Sequence, residues 1–386
     1  MNKIMLYVHI PFCEKKCNYC DFVSFNMPYD VINDYINNLI SEIENKSYLA
    51  NNYEISSIYI GGGTPSSIDK KYIKFIIESI YNYYNVNNDA EISIEVNPNS
   101  ATKDVLLAYY ESKINRLSIG LQSTNDQELK TLGRIHTYSD FLSAYDNALH
   151  AGFKNINVDL INGIPNQTID SFKKTLKQVL SLNLKHISIY NLIIEKGTVF
   201  YDMKNDGKLI LPLENDILLM DEITYSLTKN HNLIRYEISN YAKSGYECKH
   251  NIGYWSDTPY IGFGLNSASY FENIRYKNIT DIKKYINTDY SKYMLSTDKS
   301  IYYDSIETID EQKHINEYVM LGFRKINGIN ICDFKNKFNK DFEDIFKSQI
   351  KYYQSIELLC KKNDNYFLSD KGLNISNTIL SDFLID

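Results

Sequence analysis

Long apolar stretches are the first thing this sequence lacks. No hydrophobic run approaches the roughly 18 residues that a membrane-spanning helix needs, so a transmembrane segment is excluded, although peripheral contact with a membrane surface is compatible with it. Met1 to Tyr7 is too short for a secretory signal and lacks its long apolar region, so export is not expected. Positive charge is in the minority, 41 Lys and Arg against 48 Asp and Glu. That balance argues against a broad nucleic-acid binder, and nucleic acid is not an expected partner. Six cysteines in 386 residues are too few for a disulfide framework, and a reducing cytoplasm, where thiolates stay free for metal, is the expected location. The chain shows neither a low-complexity linker nor an internal repeat longer than a strand–helix unit. What it does have is size. It is long enough for one large domain plus a smaller one, with the ordinary apolar content of a globular protein.

Half of the few cysteines fall within eight residues. Cys13, Cys17 and Cys20 are spaced Cys-x3-Cys-x2-Cys directly after the apolar run Ile4 to His9. Three thiolates on one loop can hold three corners of a cubane 4Fe-4S cluster and leave the fourth iron free for a small molecule, whereas electron-transfer clusters use four. A three-cysteine zinc knuckle is the competing reading of the same spacing.

Periodicity places the rest of the chain around this loop. Strands are expected at Ile4 to His9, Ile55 to Ile60, Glu91 to Val96, Arg116 to Gly120, Asn155 to Leu160 and His186 to Leu192. Helices are expected at Tyr29 to Asn45, from Asp69 as N-cap to about Tyr84, from Thr102, between Asp126 and Ala151, and at Ile169 to Leu182. Six alternations of strand and helix call for a parallel sheet with right-handed crossovers. The expected fold class is therefore α/β, as a partial (β/α)6 barrel over residues 1–200, with a doubly wound sheet as the alternative. Residues 201–304 are less periodic and read as a mixed accessory region. In residues 305–386, helices at Thr308 to Phe323, Asp333 to Phe338, Phe342 to Tyr353 and Gly372 to Leu384 flank a short strand at Tyr366 to Ser369. This is a small helical, winged-helix-like unit, read as a cap over the barrel.

Polar residues collect at the ends of the expected strands, the rim where β/α barrels build active sites. Gly61-Gly62-Gly63-Thr64 lets backbone approach a ligand closely. Glu95 places an anion at the same rim, Gln122 and Asp159 suit hydroxyl groups, and Arg134 can neutralise a carboxylate. Together they could receive an amino acid chelated to the open iron.

Those blocks carry a closer likeness. Tyr-Val-His-Ile-Pro-Phe-Cys (7–13), Gly-Gly-Gly-Thr-Pro-Ser (61–66), Glu-Val-Asn-Pro (95–98), Ser-Ile-Gly-Leu-Gln-Ser (118–123), the stretch 158–168 and Tyr-Glu-Ile-Ser-Asn-Tyr-Ala (236–242) come in order. They resemble the oxygen-independent coproporphyrinogen III oxidase-like family of radical S-adenosylmethionine proteins. The resemblance implies cluster ligation by Cys13, Cys17 and Cys20. It also implies S-adenosylmethionine contacts from Tyr7, Tyr19, Gly62, Gly63, Thr64, Glu95, Gln122, Arg134 and Asp159, and an electron donor for the cluster. In such proteins the cluster cleaves the sulfonium to a 5′-deoxyadenosyl radical.

Two branches of that family differ in pattern. The oxidase motif continues to a fourth cysteine at the place of Phe22, and the oxidase carries an N-terminal extension, whereas Cys13 here follows only twelve residues. The haem-chaperone branch carries His-Asn-x-x-Tyr-Trp, present as His250-Asn251-Ile252-Gly253-Tyr254-Trp255 with the chain's single tryptophan. Histidine can ligate haem iron while aromatic rings pack on the porphyrin, and Cys248 offers a second soft ligand. The resemblance thus implies a haem-binding radical S-adenosylmethionine protein that passes haem to an unknown acceptor protein, with coproporphyrinogen III oxidation as the alternative. A third reading, an interaction protein with a purely structural cluster, predicts no S-adenosylmethionine binding.

Overall fold

The computed structural model describes residues 1–385. Six parallel strands run in sequence order through its centre: β1 (Asn2–Ile10), β2 (Tyr53–Gly62), β3 (Val86–Val96), β4 (Arg116–Gln122), β5 (Asn155–Asn162) and β6 (His186–Asn191). The crossovers are α1 (Tyr29–Asn45), α2 (Lys70–Tyr83), α3 (Lys103–Glu111), then α4 (Asp126–Thr131) and α5 (Tyr138–Ala151), then α6 (Ile169–Leu180). The helix starts follow the expected signals. Asp69, Thr102, Thr137 and Thr168 each accept a hydrogen bond from a first-turn backbone N–H. Chain reversal after α5 uses Gly152 at φ +104, the left-handed residue that ends many helices.

The accessory region departs from the expected pattern. After α7 (Val199–Asn205) and α8 (Glu214–Asn230), its strands join the same sheet on both sides. β7 (Ile234–Arg235) and β8 (Asn240–Ala242) add antiparallel beyond β6. On the other side β9 (Tyr260–Phe263) pairs parallel with β1, followed by antiparallel β10 (Ala268–Phe271), β11 (Ile274–Asn278) and β12 (Tyr303–Thr308). Between β8 and β9 lies α9 (Lys249–Trp255), which carries the His-Asn-x-x-Tyr-Trp motif. The result is a twelve-stranded sheet that does not close on itself.

Through its middle each central strand alternates, apart from Met5 and Ile161, which are apolar on the otherwise polar side. Leu6, Val8, Ile58, Ile60, Ile92, Ile94, Leu117, Ile119, Val158 and Leu160 are almost wholly buried in the main core with the helices. The intervening residues are Tyr7 and His9, Ser57 and Tyr59, Glu91, Ser93 and Glu95, Arg116 and Ser118, Asn157 and Asp159, His186 and Ser188. Register pairs them across the sheet, Tyr7 with Tyr59, Glu95 with Ser118, Asn157 with His186, so they share its other face. Parallel strands covered on both faces usually read apolar throughout. Here the concave face is a buried polar surface.

Residues from Glu311 onward form a second core centred on Phe323, Phe334, Phe342, Phe346 and Phe383. Its first helix begins at Glu311, not Thr308, because residues 303–308 are taken up as β12 and Asp310 supplies the cap. Around a three-stranded sheet that includes Leu359–Lys362 and Asn365–Leu368, helices dominate. The expected long helices 342–353 and 372–384 are each broken into two short ones, at Phe346 and Ile375. Among the described residues no helix is long and apolar enough to cross a membrane.

Candidate functional site

The loop after β1 is tied down on three sides. Gly63 N and Thr64 N donate to the carbonyls of Ile10 and Phe12 at 2.9 and 2.7 Å, fastening the end of β2 to the start of the loop. Asn18 is clamped by Leu132 O, Thr131 O and Phe200 N, each at 2.9 Å. Cys13 N donates to Phe25 O at 2.9 Å. A Cβ on Gly63 would lie 2.7 Å from Phe12 O, so only glycine permits this contact. The three thiols thereby open into one cavity of about 540 Å³. Cys13 Sγ lies 3.4 Å from Thr64 Oγ1, and Arg134 Nη1 lies 3.7 Å from Cys17 Sγ. Burial pushes the Cys20 thiol up to about 11. No three or more of the His, Cys, Asp and Glu side chains among the described residues close around a single metal ion. A zinc knuckle would need its ligands on one tetrahedron, whereas a cubane takes each thiolate on a different iron, so this donor set fits a cluster better.

Of the thirteen expected site residues, all but Tyr7 and His250 line that cavity. Glu95 accepts from Tyr59 OH and from Gly62 N, both at 3.0 Å. Burial, and then the charge of Asp159, pushes its carboxyl up to about 7. Asp159 accepts from Ser118 Oγ at 3.0 Å and Asn157 Nδ2 at 2.8 Å, and burial raises its pKa as well. Two carboxyls held with raised pKa beside an open cavity favour a cationic ligand, whose charge would restore their ionised forms. Arg134 supplies the opposite charge on the far side. Its Nη2 donates to Gly120 O at 2.7 Å, which aims the guanidinium along the end of β4. There β4 slips register against β5 and Gln122 sits at φ +72, an unusual conformation for a side-chain-bearing residue. Strained backbone of this kind gathers at functional sites. The cradle thus offers acceptors, the Arg134 cation and free backbone to a zwitterionic, sulfonium-sized ligand.

Sequence reasoning passed over Tyr59, Ser118, Tyr190 and Ile193 as site residues, and they also line the cavity, as does Phe22. Tyr59 and Ser118 could have been found from the period of two, since they share a face with Gly61 and Gly120. Tyr7 stands one place behind, stacked on Tyr59 at 6.4 Å between ring centres and hydrogen-bonded to His9 Nδ1 at 2.9 Å.

His250 departs further from expectation. It is 1% exposed, on α9 behind the middle of β2. Its Nδ1 is 2.9 Å from Ser57 Oγ and its Nε2 is 3.1 Å from Tyr254 OH. Burial, then Arg116, lowers its pKa to about 3, so it is neutral. An axial haem ligand needs an open ring nitrogen, and neither is open here. Cys248 is no better placed: it is wholly buried, its thiol donates to Glu91 Oε1 at 3.3 Å, and burial lifts it to about 12. Trp255 lies under the guanidinium of Arg324 from the C-terminal region, at 5.3 Å.

Comparison with known proteins places this architecture. The Radical SAM superfamily model matches residues 7–179, and the HemN C-terminal domain model matches residues 309–375. Heme chaperone HemW of Bacillus subtilis is 33% identical over 98% of this chain and 98% of its own. The chain belongs to the HemW family of radical SAM proteins. Heme chaperone HemW of Escherichia coli is 29% identical over 99% of this chain and 98% of its own. Among solved structures, coproporphyrinogen III oxidase (HemN) of Escherichia coli superposes with a TM-score of 0.83 at 23% identity, covering 99% of this chain and 90% of that one, which shows a shared fold. Membership of the radical SAM superfamily brings a 4Fe-4S cluster and S-adenosylmethionine as the cofactors of a HemW-family chain.

Proposed function

We propose that the chain is a haem chaperone, holding haem beside a 4Fe-4S cluster and S-adenosylmethionine and passing it to an acceptor protein. The observation that carries this reading is a full-length likeness to relatives named heme chaperones, in a chain whose three loop cysteines and polar cradle share one cavity. Cys13, Cys17 and Cys20 would hold the cluster. Gly62, Gly63 and Thr64 would receive the ligand's backbone-like end, with Glu95 taking positive charge, Arg134 the carboxylate, and Gln122 and Asp159 the ribose hydroxyls. Tyr19 closes the cavity beside the cysteines, while Tyr7 supports Tyr59 from behind. Bound there, the pair supplies reductive cleavage of a sulfonium C–S bond, for which a partner must deliver an electron.

With cluster and S-adenosylmethionine filling the cavity, a porphyrin would have to lie at its mouth. Phe22 and Ile193, 61% and 67% exposed, give that mouth an apolar edge. Lys15 and Lys16 stand beside it and suit propionates. His250 could serve as axial ligand only if its bonds to Ser57 and Tyr254 were broken. The proposed location is the cytoplasm, with the acceptor a haem protein such as a respiratory one. Anaerobically reconstituted protein should bind haem tightly and lose it to an apo haem protein, followed by the Soret band. Turnover of coproporphyrinogen III to protoporphyrinogen IX with reductant and S-adenosylmethionine would instead establish an oxidase and overturn this proposal.

A further inference from the structure

We infer that His250 is a positioning residue for the cofactor cradle: it holds Tyr59, and through Tyr59 it orients Glu95. This rests on the reading of Glu95 as a contact to S-adenosylmethionine.

The geometry is continuous. The imidazole lies 5.3 Å from the Tyr59 ring, inclined by 32°, and forms its back wall. Tyr7 stacks on Tyr59 from β1, so the phenol is confined by two rings. Its hydroxyl then has one partner, Glu95 Oε1 at 3.0 Å, and the other carboxylate oxygen takes Gly62 N of the cradle. His250 in turn cannot shift. Ser57 and Tyr254 occupy its two nitrogens, and Tyr254 is wedged edge-on against it at 4.9 Å. Helix α9 is pinned at its start by Glu91 of β3, which accepts from Cys248 Sγ, Lys249 N and His250 N at 3.3, 3.1 and 3.2 Å. At its end, Asp257 is bound by His314 at 2.7 Å and by Lys337, both from the C-terminal region. A carboxylate whose orientation is set by packed neighbours binds better than one that must be ordered on binding.

Several groups face Glu95: Tyr59 from β2, Asp159 from β5, Tyr7 from β1, and beyond Tyr59 the Arg116 guanidinium of β4 and neutral His250. The Tyr59 hydroxyl is one of two donors, with Gly62 N, that favour the ionised carboxylate. A displaced Tyr59 should therefore move the pH midpoint of ligand binding upward.

The test measures S-adenosylmethionine affinity by equilibrium dialysis on reconstituted full-length protein, with haem affinity by titration and iron content as the check on folding. His250→Ala and Tyr59→Phe should each weaken S-adenosylmethionine binding by about 3- to 10-fold, the effect of one hydrogen bond. Both should raise the pH midpoint, and the double variant should fall short of their product. His250→Gln, which can still bridge Ser57 and Tyr254, should recover much of the loss; Tyr254→Phe should give an intermediate one. If His250→Ala abolishes haem binding yet leaves S-adenosylmethionine affinity and its pH midpoint unchanged, His250 is an axial ligand and the inference is wrong. Glu95→Gln separates the layers. If it weakens binding while His250→Ala and Tyr59→Phe do not, only the positioning role falls. If Glu95→Gln has no effect, the cradle assignment and this inference fall together.

Discussion

Glu95 should make S-adenosylmethionine binding depend on pH in the neutral range. Buried beside Asp159, its carboxyl is pushed up to about 7. A cationic ligand is attracted by the ionised form, so protonation competes with binding. Between pH 8 and pH 6 a group of pKa about 7 loses about tenfold in ionised fraction, equivalent to about 1.4 kcal/mol. The ligand's own amine and the cluster also titrate, so the decisive quantity is the ratio of wild-type to Glu95→Gln affinity. That ratio should fall about tenfold from pH 8 to pH 6, since the amide cannot ionise. Equilibrium dialysis at constant ionic strength measures it. A ratio flat across that range would refute the reasoning. In the unliganded protein the stability trend runs the opposite way. A raised carboxyl favours folding when protonated, so its contribution is full below its ordinary value of 4.5 and is lost as pH rises through about 7. Glu95→Gln should therefore flatten the stability of the unliganded protein over that window.

Replacing Cys13, Cys17 or Cys20 singly by Ser should abolish the brown cluster absorbance and acid-labile sulfide, whereas Cys332→Ser and Cys360→Ser should leave both unchanged. Gly63→Ala should lower cluster retention and S-adenosylmethionine affinity together, because its Cβ would meet Phe12 O at 2.7 Å; iron content and dialysis would show it, with circular dichroism unaltered. Glu42→Ala should lose about 3–5 kcal/mol in urea unfolding, since it strands buried Lys46, now paired at 2.6 Å with both side chains within 1% of full burial.

Much of this arrangement was legible. The six strands and the caps at Asp69 and Thr102 were readable because local periodicity and local hydrogen bonds decide them. The cavity was readable because its residues sit at strand ends, where topology alone gathers them. Strands β7 to β12 were not, as they are short and owe their existence to free sheet edges rather than to their own pattern. The packing around His250 was not legible for a related reason. A motif names residue types and spacing, while the direction of α9 is set by Glu91 and Asp257, about 160 residues earlier and 7 residues later, and neither belongs to the motif.

The same logic separates structural from functional carboxylates, which burial alone does not. Glu42 accepts from Lys46, Asn278, Gly264 N and Tyr285; Glu91 from Cys248, Lys249 N, His250 N and Ser93; Glu128 from Ser123, Gln167 and Ser171. Each takes three or four protein donors, most or all of the acceptor capacity of a carboxylate. Glu95 takes only two protein donors, one per oxygen, and it faces the cavity together with Asp159, which accepts from Ser118 and Asn157. Glu91 and Glu95 make the contrast sharpest, because they lie on the same face of one strand, four residues and about 13 Å apart. One fixes the helix at the floor of the sheet, and the other keeps lone pairs free at its rim. An interior lined this way needs polar residues at nearly every second position of β1 to β6, which is why these parallel strands are not uniformly apolar.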